Sequence, residues 1–294
     1  QPYILETDGT MFDIIEGERL KLENLLFAMM VVSGNDASNV AAEMVDGSIN
    51  KFMENLNVFL KKIGCADTSF LNPHGLHHPN HLTTAYDLAL LLSQANQNEK
   101  FMQLYSCNYF IREQTNKQKY KELKTNNKLL KPNKFQYKYT LGSKTGYHAK
   151  AKYNLSAIAK KNDRELIAVV LNCDNSEKRY VDVINLFENA FKEEKISKKL
   201  IDKSQTFQAK LDGASKNIKG HIKEDFILKY YLSEETNYKM FIQWDDLKLP
   251  IKANSRLGFI KVISEESEVL DKLPLYATGD VNRSFLRFLK DLFL

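Results

Sequence analysis

Apolar residues recur at every third and fourth position between residues 18 and 93, and from Tyr139 onward they recur at every second position. A chain with that switch must build helices first and antiparallel strands afterwards, so the expected class is α+β. The spacing of Leu22, Leu25, Leu26, Met29 and Met30 predicts a helix over 18–32 that Ser33-Gly34 interrupts. Ala37, Val40, Ala41 and Met44 predict a second helix. A third runs from Ser48 to Ile63 before Gly64, and a fourth begins near Thr84. Strands are expected at 139–145, 153–160 and 165–173, the last two joined by Asn162-Asp163, with a closing helix over 181–191. The lysine-rich stretch 112–138 lacks a sustained period and reads as a long, partly extended surface loop. Behind a linker at 195–204, short alternating runs at 207–211, 226–232, 238–244, 258–263 and 273–277 predict a small all-β domain. The expected division is therefore 1–200, 201–280 and a C-terminal segment, 281–294.

Composition narrows the function classes. Lys and Arg number 42 against 37 Asp and Glu, a formal charge of +5 that favours anionic surfaces without demanding nucleic acid. The aromatics of the lysine-rich stretch form no recognisable stacking module, so a nucleic-acid partner is not expected. The longest apolar run, Leu25 to Val32, is far short of the roughly 18 residues of a transmembrane helix. Cys65, Cys107 and Cys173 have neither disulfide-framework nor zinc-site spacing, and no metal or other cofactor is expected. In 281–294, Phe285, Phe288, Leu289 and Leu292 share helical spacing with Val281, opposite Arg283, Arg287 and Lys290. That basic amphipathic pattern suits the interface of an anionic membrane.

Two short motifs could carry chemistry: Ser33-Gly34-Asn35 on an interhelical turn, and Lys144-Thr145-Gly146 on the first strand of the sheet. Ser-x-Asn also occurs at Ser48, Ser106 and Ser215, so alone it says little; Lys-Thr-Gly occurs once. His77, His78 and His81 cluster without carboxylates at ligand spacing, and His74 reads as a turn histidine bonded to backbone.

The order of the motifs is more telling. Met11-Phe12 with Gly17-Glu18, Val32 to Ala37, Asn72-Pro73-His74-Gly75-Leu76, Thr83 to Ala89, Asn126 to Leu130, Gly142 to Tyr147 and Arg164 to Leu171 together resemble the low-molecular-mass penicillin-binding proteins, the serine-type D-alanyl-D-alanine carboxypeptidases. Leu249-Pro250-Ile251, Leu257-Gly258 and Leu273-Pro274-Leu275 resemble the β-rich C-terminal domain of the same family. The resemblance implies a β-lactamase/transpeptidase-like domain, a helical cluster on an antiparallel sheet, followed by that small all-β domain. It implies a hydrolase that removes the terminal D-Ala from peptidoglycan stem pentapeptides through an acyl-enzyme and that binds β-lactam antibiotics. It also implies export to the periplasmic side of the inner membrane, with peripheral attachment through the C-terminal helix. By the same resemblance Ser33 relays a proton, Asn35 holds substrate backbone, and Lys144, Thr145 and Arg179 hold the terminal carboxylate. A backbone N–H near Tyr147 or His148 supplies an oxyanion donor, and Gly146 leaves room for the bound peptide.

One element of the family pattern is missing from the sequence. The family's nucleophile lies in a Ser-x-x-Lys ahead of Ser-Gly-Asn, yet the 32 residues before Ser33 contain no serine. Ser48-Ile49-Asn50-Lys51 falls after Ser-Gly-Asn and opens an amphipathic helix, so it reads as a chance match. The chain begins at Gln1, without an initiator Met or a visible signal peptide, and the expectation is an N-terminally truncated carboxypeptidase. The alternative is a non-catalytic protein that binds muropeptide or scaffolds the envelope.

Overall fold

The computed structural model describes residues 5–234, 237–264 and 269–285. The chain divides into two compact units, 1–192 and 193–294. In the first, helix α1 is Leu22–Phe27 and passes directly into a π-turn, Ala28–Val32. The predicted helix at 18–32 is therefore shorter and changes its hydrogen-bond pattern before Ser33, the kind of local irregularity that collects at functional sites. Helices α2 (Asn35–Asp46), α3 (Ile49–Lys62), α4 (Ala85–Asn96) and α5 (Glu99–Tyr105) follow. Their starts are written locally. Ser48 Oγ accepts from Lys51 N at 3.2 Å, Thr84 Oγ1 from Asp87 N at 3.0 Å, and Asn98 Oδ1 from Phe101 N at 3.2 Å. Each cap satisfies an orphan N–H and stabilises its helix by about 1 kcal/mol.

The central sheet has three antiparallel strands in the order β3 (Thr140–His148), β4 (Lys152–Lys161), β5 (Arg164–Cys173), with β3 at an edge. Alternation along β4 divides the layers. Leu155, Ala157 and Ala159 pack with Tyr180, Val183 and Phe187 of helix α6 (Lys178–Ala190), whereas Ile158 packs with Leu92 of α4 and Tyr105 of α5. Helices thus cover both faces of the sheet. Each fully buried apolar side chain contributes about 1.5–3 kcal/mol relative to exposure.

The stretch 112–138 departs from the surface loop that its sequence suggests. It takes part in a two-stranded ribbon, β1 (Tyr109–Arg112) with β2 (Lys121–Lys124), and it buries Leu123, Leu129, Phe135 and Tyr137. Arg112 is buried too, ion-paired to Glu18 at 3.1 Å and bonded to the Lys119 carbonyl. Leu123 lies in a strand of four residues and Leu129, Phe135 and Tyr137 lie singly in the irregular segment that follows it, so no period is displayed.

The second unit is all β. A five-stranded sheet runs β10 (Tyr238–Trp244), β11 (Arg256–Ser264), β12 (Val269–Ala277), β8 (Ile218–His221), β7 (Thr206–Ala209), and a separate ribbon pairs β6 (Lys195–Ile201) with β9 (Phe226–Tyr231). The expected linker at 195–204 is thus largely a strand; its lysines suit an exposed ribbon and hide any alternation. Its core gathers Ile218, Ile222, Phe226, Leu257, Ile260 and Leu275.

Val281 belongs to that core and bridges Ile251, and Arg283 bridges Ala214. The predicted C-terminal helix therefore does not begin at Val281: residues 281–283 are extended and tied to the β unit. Phe285 is exposed, while Arg287, Phe288, Leu289, Lys290 and Leu292 lie outside the described residues. No helix among the described residues is long and apolar enough to cross a membrane.

Candidate active site

A cleft of about 1010 Å³ opens beside the β3 edge, and its walls include Ser33, Asn35, Lys144, Thr145, Gly146, Tyr147, His148 and Arg179. Ser33 sits where the π-turn meets α2, in the left-handed region at φ 60°, ψ 44°. A non-glycine residue there is held by its surroundings at a cost of order 1–3 kcal/mol. What holds it is Asp36, fully buried, whose carboxylate accepts from Phe12 N at 2.8 Å, Ile14 N at 2.9 Å and Ala37 N at 2.9 Å. The incoming segment 12–14 is thereby strapped to the first turn of α2. Asn35 N donates to the Thr10 carbonyl at 2.8 Å, and the Asn35 carboxamide donates to the Asp8 carbonyl. That bond takes one of the carboxamide's two hydrogens.

Lys144 comes from the edge strand. Its Nζ donates to Ser33 Oγ and to the Thr145 carbonyl, the latter at 2.9 Å. Burial pushes its ammonium down to about 8, helped by the positive charge of Arg179. An amine in that range can give or take a proton near neutral pH, which an exposed lysine does poorly. A Cβ on Gly146 would meet its nearest neighbour, Asn154 Cβ, at 3.7 Å, an ordinary van der Waals contact. The protein's own packing does not require glycine at that position, which leaves the space for a ligand lying along β3.

Arg179 enters at the first turn of α6. Its guanidinium donates to the Gly146 carbonyl at 3.2 Å, the Asn154 carbonyl at 3.3 Å and Tyr180 Oη at 3.3 Å, and lies 5.4 Å and 5.0 Å from the ring centroids of Tyr153 and Tyr180. Rings and carbonyls together fix the plane of the guanidinium. Its Nε is buried with no protein partner.

Several supporting residues have no motif signal in the sequence. Asn127, buried, donates to Ser143 Oγ at 2.6 Å and ties the 125–130 segment to β3 next to Lys144. Tyr105, also buried, shares a 2.8 Å hydrogen bond with Ser156 Oγ on β4, and burial raises its phenol. A Cβ on Gly142 would lie 2.4 Å from Tyr105 Cδ1, so only glycine lets α5 approach the strand this closely. His74 accepts from Leu76 N at 3.2 Å through Nδ1, the backbone-bonded turn histidine its position suggests. Among the described residues no cluster of three or more His, Cys, Asp or Glu could hold a metal, and Cys65, Cys107 and Cys173 are all free.

The chain is similar to known proteins. Residues 2–175 match the D-alanyl-D-alanine carboxypeptidase family of peptidases, and residues 197–283 match the C-terminal domain of penicillin-binding protein 5. The D-alanyl-D-alanine carboxypeptidase DacF of Bacillus subtilis is 32% identical over 96% of this chain and 72% of its own length. DacD of Escherichia coli is 28% identical over 86% of this chain, which spans 64% of that relative. The crystal structure of the carboxypeptidase DacD from Francisella tularensis superposes with a TM-score of 0.62 at 21% identity, covering 96% of this chain and 80% of that one, a likeness of fold. The Lys144–Ser33 contact beside a carbonyl-fixed arginine thus sits in a chain that belongs to the D-alanyl-D-alanine carboxypeptidase family, the serine-type penicillin-binding proteins, and that family's β-rich domain follows later in the sequence.

Proposed function

We propose that the cleft captures the C-terminal carboxylate of a peptidoglycan stem peptide ending in D-Ala-D-Ala and manages the proton of its leaving amine during acyl transfer. The observation that carries this is the bond from Lys144 Nζ to Ser33 Oγ. In this reading Ser33 Oγ–H is placed to donate to the departing amine while Oγ accepts a proton from Lys144, so both hydrogens move along one line. Thr145 and Arg179 hold the terminal carboxylate, the free β3 edge pairs with the extended peptide, and an N–H near Tyr147 or His148 faces the scissile carbonyl oxygen. β-Lactams, which place a carboxylate beside a strained amide, fit the same features. The acyl-accepting serine of the family's Ser-x-x-Lys is not among the residues ahead of Ser33 in this sequence.

The experiment uses the product of the complete coding sequence and, in parallel, this chain. The complete product is expected to be labelled covalently by a fluorescent penicillin and to release D-Ala from an acyl-D-Ala-D-Ala peptide, with both lost in Lys144→Met. Reversible peptide binding without labelling of the complete product would instead support a muropeptide-binding protein. Attachment to the periplasmic face of an anionic membrane through residues 285–294 belongs to the same proposal. Flotation with vesicles containing phosphatidylglycerol, with and without those residues, tests it.

A further inference from the structure

Of the chain's 6 histidines, His74, His77, His78, His81 and His148 line the cleft, four of them from the 74–81 loop and one from the end of β3. Among the described residues no aspartate or glutamate joins them, and the ionised side chains of the wall are Lys144, Lys150 and Arg179. Such a wall can only favour anions. The terminal carboxylate already proposed occupies Lys144, Thr145 and Arg179, which leaves the histidine end of the cleft without a ligand group.

The histidines are fixed in a particular tautomer. Nδ1 of His78 accepts from Asn80 N at 3.1 Å, Nδ1 of His81 from Leu71 N at 3.3 Å, and Nδ1 of His148 from Lys150 N at 3.1 Å and Ala151 N at 3.3 Å. With Nδ1 taken as an acceptor, the ring proton sits on Nε2, so each neutral ring presents an N–H donor. His77 approaches from the loop, its ring centroid 5.4 Å from that of His148 and its plane tilted by 47°. Two imidazoles this close repel when both are charged, and an anionic oxygen pair between them reverses the sign. Burial, followed by the neighbouring His77, lowers the His148 imidazole, and burial with the surrounding histidines lowers His81, so the free cleft resists charging that a bound carboxylate would restore.

We propose that His77 and His148 form a second carboxylate subsite, which selects peptides carrying an acidic residue upstream of the terminal pair. It rests on the reading of the cleft given above and adds the substrate class. The register follows from the oxyanion donor proposed above. With the scissile carbonyl, which belongs to the second residue from the end, facing the N–H near Tyr147 or His148, an extended peptide running antiparallel to β3 brings its third residue from the end level with the histidine pair. The titratable and charged groups that share the cleft with the pair are His74, His78 and His81 from the loop, Lys150 from the turn after β3, and Lys144 and Arg179.

The test compares two acyl peptides of equal length ending in D-Ala-D-Ala, one with Glu and one with Gln at the third position from the end. Binding to this chain is measured by titration calorimetry near pH 5.5 and near pH 8. The Glu peptide is expected to bind about tenfold more tightly than the Gln peptide at the lower pH, where its carboxylate is still ionised, and about twofold at the higher pH. In His77→Gln, an exposed position, that preference is expected to vanish while the Gln peptide binds as before. Equal affinities at both pH values, or a preference that survives in His77→Gln, overturn the second subsite and leave the terminal-carboxylate reading standing. Failure of both peptides to bind overturns that reading and this one with it.

Discussion

Lys144 Nζ and Ser33 Oγ form a hydrogen bond although 111 residues of chain separate them. One group rides on the edge of a sheet and the other on a strained interhelical turn. The contact exists because α4 and α5 on one face of the sheet and α6 on the other hold the β3 edge in place, while the buried Asp36 carboxylate holds the turn.

Lys144 is expected to make peptide binding fall away at alkaline pH. Its ammonium is lowered to about 8, so its charge is present below that pH and lost above it. Affinity for an acyl-D-Ala-D-Ala peptide is therefore expected to fall about tenfold per pH unit above 8 until the raised constant of the bound form is reached. A Lys144→Met chain should show weak, pH-independent binding in the same titration.

The same group affects stability with the opposite sense. Because its ordinary value is 10.5 and its folded value about 8, the unfolded chain binds more protons between those limits, and stability rises with pH across that window. Urea unfolding at both ends should show this rise in the native chain and a smaller one in Lys144→Met. An identical rise in both chains would mean that the ammonium is not desolvated by the fold.

Arg179 is held by carbonyls and rings that a lysine cannot satisfy. Arg179→Lys is expected to weaken peptide binding by about 2 kcal/mol, roughly thirtyfold, since a point charge replaces a fixed fork. Arg179→Gln also removes a positive neighbour of Lys144, so the pH above which binding declines should move upward. A midpoint that stays put would show that burial alone sets the lysine.

Asp36 supports the turn rather than touching ligand. Asp36→Ala orphans three backbone N–H groups at once, at a cost of about 3 kcal/mol, and should lower the melting temperature by several degrees. Asp36→Asn retains an acceptor oxygen and should recover part of both stability and peptide binding.

Gly142→Ala tests the α5 approach. The added methyl must displace the Tyr105 ring, which costs about 1–3 kcal/mol and breaks the bond to Ser156 Oγ. Pairing it with Tyr105→Phe in a double-mutant cycle separates the ring displacement from the lost hydrogen bond: the two losses should be less than additive.

The sequence by itself determined the layer order, because a period of about 3.6 or 2 is a local property that follows from backbone geometry alone. It also marked Ser33-Gly34-Asn35 and Lys144-Thr145-Gly146 as candidates, through motifs whose order along the chain resembles that of the penicillin-binding family. It could not show the ribbon of β1 and β2 or the β6 strand, where four to seven residues carry too few apolar positions for a period and lysines conceal the pairing. Nor could it show that Val281 closes the β core rather than opening a helix, since one valine fits both patterns. The site itself was decided by tertiary structure. That Asp36 straps the turn, that Asn127 and Tyr105 brace β3, that Arg179 is clamped between rings, and that the loop histidines share a wall with His148 are all relations between distant segments. Electrostatics and packing act through space, so the lowered lysine and the acid-free wall arise only when the chain has closed around them.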